Sequence, residues 1–139
     1  MTSALLVGLL LVAWDGAEKA DPDQANLEGS WRVVSTTTNG REDTDIKGLQ
    51  FTFRKDQLVL PEPGNKAEEV LYRLDSAKTP KQLDFELTIF KTDWVLGIYQ
   101  LDKDTLTYCL SSGDNKRPDK FEAPEGSGRT LLKMERVKK

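Results

Sequence analysis

The sequence predicts an all-β domain, about eight antiparallel strands closed into an up-and-down barrel. Three observations predict it. Apolar residues alternate with polar ones in run after run. Turn signals recur about every 8–12 residues, with no convincing helical period between them. An antiparallel set this long leaves two exposed edges, and closure into a barrel removes both.

The first segment is not a strand. Ala4 to Trp14 form the one long apolar run. It falls short of the about 20 residues of a membrane span. It fits the apolar region of a secretory signal, about 7–15 residues. No Lys or Arg precedes it. Asp15 and Glu18 occupy the third place before cuts after Ala17 or Ala20. The alternative, a buried first helix of a cytosolic domain, is disfavoured because the run is apolar on every side and a polar linker follows. We therefore expect residues 1–20 to be a signal peptide or N-terminal anchor, 21–26 a linker, and 27–139 a single barrel domain. The expected setting is extracytoplasmic: periplasmic, secreted or envelope-anchored. Membrane contact is expected only through the N-terminal segment, if it stays uncleaved.

The strands follow in order. Leu49, Phe51 and Phe53 share one face, opposed by Gln50, Thr52 and Arg54; a turn at Lys55-Asp56 leads to Leu58 and Leu60. Val70, Tyr72 and Leu74 make the next inward face. Leu83, Phe85, Leu87 and Ile89 alternate with Asp84, Glu86 and Thr88. Trp94 to Ser111 read as a hairpin turning at Asp102-Lys103-Asp104, its first arm apolar on both faces. Arg129 to Lys139 make a last strand with a charged end. Pro61, Pro63, Gly64 and Asn65 mark one loop and Pro80 another. Ser112 to Gly128 form the one long irregular stretch, and Phe121 within it is an apolar anchor that folds it back onto the barrel.

Composition excludes more than it proposes. The 139 residues suffice for one core, and the net charge of -3 is spread over 23 acids and 20 bases with no basic stripe. Nucleic acid is not an expected partner. Histidine is absent and Cys109 is the single cysteine. That removes His-dependent triads, internal disulfides and multi-cysteine metal sites. No cofactor or metal is implied. Asp43 and Asp45, like Asp102 and Asp104, have loose calcium-like spacing without the remaining oxygen ligands, so they read as turn residues. Asp84 and Glu86 could pair for acid–base hydrolysis if held in a cleft. Solvated charges on an outer face are the plainer reading, and no enzyme is expected. Cys109 reads as an inert buried thiol.

Gly29-Ser30-Trp31, at the start of the first strand, resembles the Gly-x-Trp signature of lipocalins and their relatives. The resemblance implies that Trp31 closes one end of the barrel, with Arg136 of the last strand packed over its indole. A narrower resemblance covers Leu27 to Arg136. "LEGSWRVVS", "IKGLQFTF", "LDSAKTPKQLDF", "LGIYQLDKDTLTYCLS" and "RPDKFEAPEGSGRTLLKMER" resemble the planctomycetal uncharacterised domain family. This implies a lipocalin-like barrel and brings no activity with it. The chain departs from that family at Lys103, where glycine is frequent and a positive φ is needed.

Two uses remain open. Phe51, Phe53, Tyr72, Phe85 and Tyr108 line the interior. With Arg117 and Phe121 of the loop they are the candidate binding residues for a small apolar ligand or peptide at the open end. Gly29, Trp31 and Arg136 form the structural plug. In the second use those aromatics fill the barrel, and the loop and outer face dock a cell-envelope protein.

Overall fold

The computed structural model describes residues 21–61, 67–86, 93–111 and 116–138. The expected signal or anchor lies outside them, as do the Pro63-Gly64-Asn65 loop, Leu87 to Ile89 and the first part of the long loop.

More than half of the described residues lie in strands. A short helix α1 (Gln24–Leu27) is followed by β1 (Gly29–Thr38), β2 (Arg41–Glu42), β3 (Gln50–Phe53), β4 (Gln57–Leu60) and β5 (Glu68–Asp75). Then come β6 (Lys81–Glu86), β7 (Trp94–Val95), β8 (Gly97–Asp102), β9 (Thr105–Ser111) and β10 (Arg129–Arg136). Eight strands close an antiparallel barrel in the order β1, β3, β4, β5, β6, β8, β9, β10, and β10 returns to pair with β1. Each neighbour in space is the next barrel strand in sequence, so the topology is up-and-down. The two-residue β2 pairs with the end of β1, and β7 with the end of β6.

Alternation builds the core as expected. Trp31 and Val33 from β1, Phe51 and Phe53 from β3, Tyr72 from β5, Leu83 and Phe85 from β6, Tyr108 from β9 and Leu132 and Met134 from β10 share one buried cluster. A bulge at Val34 shifts β1 against β10, so that Thr36 pairs with Leu132 and also faces inward.

Residues 21–26 are not the linker that their composition suggests. They pack across the barrel floor, and α1 is a helix where none was expected. Leu27 is fully buried there, a contribution of about 1.5–3 kcal/mol. The polar residues of the segment are latched rather than solvated. Asp21 accepts the Ser76 N–H at 2.8 Å. Asp23 Oδ2 accepts Tyr99 Oη at 2.7 Å and Lys81 Nζ at 2.9 Å. Partial burial pushes the Asp21 pKa up, but the Ser76 and Asp23 N–H groups and Lys81 outweigh it and leave it lowered.

The β8–β9 hairpin turns where expected. Lys103 takes φ +54° without a glycine, and its carbonyl accepts Arg136 Nη2 at 3.2 Å.

Candidate functional site

At the floor, Trp31 and Arg136 are register partners. The guanidinium carbon lies 4.3 Å from the indole centroid, a cation–π contact worth about 0.5–2 kcal/mol. Trp31 Nε1 donates to Leu27 O at 2.9 Å, so its one polar atom is satisfied inside. Arg136 also donates to Asn26 O at 2.7 Å and to Asp104 Oδ1 at 3.1 Å. Gly29 sits at φ +121°, a conformation that a side chain would strain.

The five interior aromatics come together, but their polar handles are spent on the protein. Phe53 and Tyr72 stack edge to face with centroids 5.3 Å apart. Tyr72 Oη donates to Arg54 O and accepts from Gln24 Nε2. Tyr108 is fully buried, and its Oη donates to Leu83 O at 2.9 Å. Burial, and then the Asp84 charge, push the Tyr108 pKa well up against the opposing Arg117. Burial raises the Tyr72 pKa as well. Burial and the hydrogen bond to Asp23 raise that of Tyr99. One inward polar atom has no partner among the described residues: Thr36 Oγ1.

Arg117 and Phe121 are elsewhere, on the outer wall. Residues 116–128 fold back over β6, β8 and β9 as a strap. Beneath it the β6–β8 ladder parts. β6 pairs with β7 at Phe85–Val95 and with β8 at Gln82–Ile98, on either side of Leu83, Asp84, Leu96 and Gly97. Side chains stitch this gap in the ladder. The Gly97 N–H donates to Asp84 Oδ1 at 3.2 Å, and Arg117 Nη1 donates to Gly97 O at 2.8 Å. From inside, Tyr108 takes Leu83 O. A Cβ on Gly97 would sit 2.4 Å from Tyr108 Cε1, so glycine here gives the phenol its path to that carbonyl.

Asp84 is the centre of the stitch. It faces outward as its place in the alternation requires, but it is not the solvated charge expected: it is 3 % exposed. Arg117 forks onto it, Nη1 to Oδ1 at 2.5 Å and Nη2 to Oδ2 at 3.0 Å. Arg73 Nε reaches Oδ2 at 2.9 Å, and its guanidinium lies 4.1 Å from the Trp94 centroid. Cys109 lies under the strap, its thiol bonded to Glu122 O and its pKa raised by burial. Asp43 accepts the Asp45 N–H in a turn, as its spacing suggested.

Two cavities flank the strap on the side of β5 and β6. One, of about 280 Å³, lies between Arg73, Gln82 and Arg117. The other, of about 330 Å³, is lined by Phe121, Pro80, Leu101, Lys78 and Gln100 among others. The sequence pointed to Phe121 and Arg117 but placed them with the barrel mouth. It offered Asp84 only as a partner of Glu86 or a solvated charge, and it missed Gly97 and Arg73, because nothing local announces that a segment more than thirty residues later covers β6. No family model, curated protein or solved structure matches this chain.

Proposed function

We propose that the chain is a non-enzymatic, extracytoplasmic interaction domain. Its filled barrel is the scaffold, and its recognition surface is the outer-wall groove beside the strap. The observation that carries this reading is the disposition of polar groups. All three tyrosine hydroxyls of the chain are committed to Arg54 O, Asp23 and Leu83 O. The partly exposed Phe121, by contrast, lines an outer cavity with Pro80 and Leu101. That cavity is at the small end of the about 300–1,000 Å³ typical of ligand sites. It fits one apolar side chain of a cell-envelope partner. Lys78 and Gln100 at its edge offer donors that orient the partner's backbone. The apolar run from Ala4 to Trp14 supports the extracytoplasmic setting.

A second reading keeps a small apolar ligand at the open end of the barrel, and Thr36 favours it. Its hydroxyl faces inward without a partner among the described residues, and a buried hydroxyl left so costs about 1–3 kcal/mol. Chemical-shift mapping of the ¹⁵N-labelled protein against a library of short peptides and apolar fragments separates the two. Shifts at Lys78, Gln100 and Phe121 are expected. Shifts confined to Thr36, Phe85, Leu110 and Leu132 move the site into the barrel and overturn the first reading.

A further inference from the structure

The β1–β2 hairpin turns on Asn39 and Gly40, at φ +53° and +83°. These are the two left-handed positions of a type I′ turn. Three hydrogen bonds dock the turn onto the strap and the start of β10. Asn39 N–H donates to Arg129 O at 3.0 Å, Gly40 N–H to Ala123 O at 2.6 Å, and Gly128 N–H to Asn39 Oδ1 at 3.1 Å. The fit is close: a Cβ on residue 40 would lie 2.7 Å from the Glu125 nitrogen.

Asparagine followed by glycine is a self-reactive pair. The Gly40 nitrogen can attack Asn39 Cγ, so that an N–Cγ bond forms, the Cγ–Nδ2 bond breaks, and ammonia leaves carrying the backbone proton. Water then opens the cyclic imide to aspartate or isoaspartate. Glycine is the least hindered nucleophile for this step because it carries no side chain. In this fold both reacting groups are restrained. The Gly40 N–H is engaged by Ala123 O, which disfavours its deprotonation. The Asn39 amide is held by Gly128. The turn itself fixes ψ of its first residue near about +30°, and ring closure requires rotation about that bond.

We propose that Asn39 is a latent self-modification site, closed while the strap is docked and opened when the strap lifts. Lifting is local. Residues 116–128 carry no strand or helix. Arg117 at one end, the Cys109–Glu122 contact in the middle and this turn at the other end hold them to the barrel. A segment outside the sheet ladders opens at lower free energy than the whole fold. The isoaspartate product lengthens the main chain by one methylene and adds a carboxylate beside Glu125. It cannot re-form the I′ turn, so the release is one-way.

The test compares the full chain with the free peptide TTTNGRED, residues 36–43, in one mildly alkaline buffer, using peptide mapping by mass spectrometry. Modification of the folded chain is expected to be at least about tenfold slower than that of the peptide, by a factor matching the hydrogen-exchange protection of the Gly40 amide. Ala123→Asp, which places a charge beneath the strap and leaves every barrel strand unchanged, is expected to restore most of the peptide's rate. Should that variant not fold, the wild-type match between modification and exchange decides alone. A folded chain that reacts as fast as the peptide overturns the proposal. So does a suppression unrelated to Gly40 exchange, or one that persists in Ala123→Asp with that amide exposed.

Discussion

At the floor, Arg136 lies flat over the indole of Trp31; at the β6–β8 seam, Arg117 forks onto the carboxylate of Asp84. Both arginines seal the same barrel from outside, but they fail differently. Removing Arg136 leaves an indole whose N–H is still bonded to Leu27 O. Removing Arg117 leaves a buried carboxylate with, among the described residues, Arg73 and one backbone N–H to hold it. An apolar plug with a cation on top degrades gradually, whereas a buried ion pair depends on both members.

The largest effect expected is at the plug itself. Trp31→Ala should cost about 3–5 kcal/mol, as for large aromatic truncations, read as a shift in the urea midpoint. At the seam, Arg117→Ala should cost about 2–3 kcal/mol, discounted for the partner that Asp84 keeps. The double variant Asp84→Ala with Arg117→Ala should cost less than Arg117→Ala alone. A double variant that costs the sum would mean that the two residues are not coupled. Gly97→Ala should cost about 1–3 kcal/mol by overpacking Tyr108, and its tyrosine ring signals should shift. Arg136→Ala should cost only about 1–2 kcal/mol, the cation–π contact and its exposed hydrogen bonds. An Arg136 loss equal to that of Arg117 would erase the contrast between the two seals. The smallest effect is at the β8–β9 turn. Lys103→Gly should stabilise by about 0.5–1 kcal/mol, by relieving a positive φ.

The difference between the two seals is also a difference in legibility. The floor is legible in the sequence through its resemblance to the Gly-x-Trp signature, whose parts are marked locally. A glycine two places before a tryptophan opens a strand, and an arginine ends the last one. Strand alternation likewise identified Phe51, Phe53, Tyr72, Phe85 and Tyr108 as inward, and all five are. The seam could not be read. Alternation correctly turns Asp84 outward, and outward ordinarily means wet. It is buried only because the strap returns from position 117 to cover it. Gly97 carries no local signal, because its purpose depends on a phenol from the neighbouring strand. The floor segment 21–26 is opaque for the opposite reason: its polar composition suggests a linker, yet Asp21 and Asp23 are latched to Ser76, Tyr99 and Lys81. The Asn39-Gly40 pair did carry a local signal, since that dipeptide marks a type I′ hairpin.

The central claim is the proposal that the barrel is filled, with its tyrosine hydroxyls committed to the protein, which leaves recognition to the outer wall. The most direct test is a spectroscopic titration of tyrosine. The chain has three tyrosines, and the fold raises the pKa of each. Such a group keeps its proton in the fold but loses it in the unfolded chain above about pH 10. Its stabilising contribution is therefore whole below that pH and is lost as the pH climbs toward the folded value. The account predicts no tyrosinate absorbance through pH 10, then a single rise of all three groups together with the loss of β-sheet circular dichroism. Tyrosinate appearing near pH 10 with the sheet signal intact would contradict it, because a hydroxyl that ionises at its ordinary pKa stands in water.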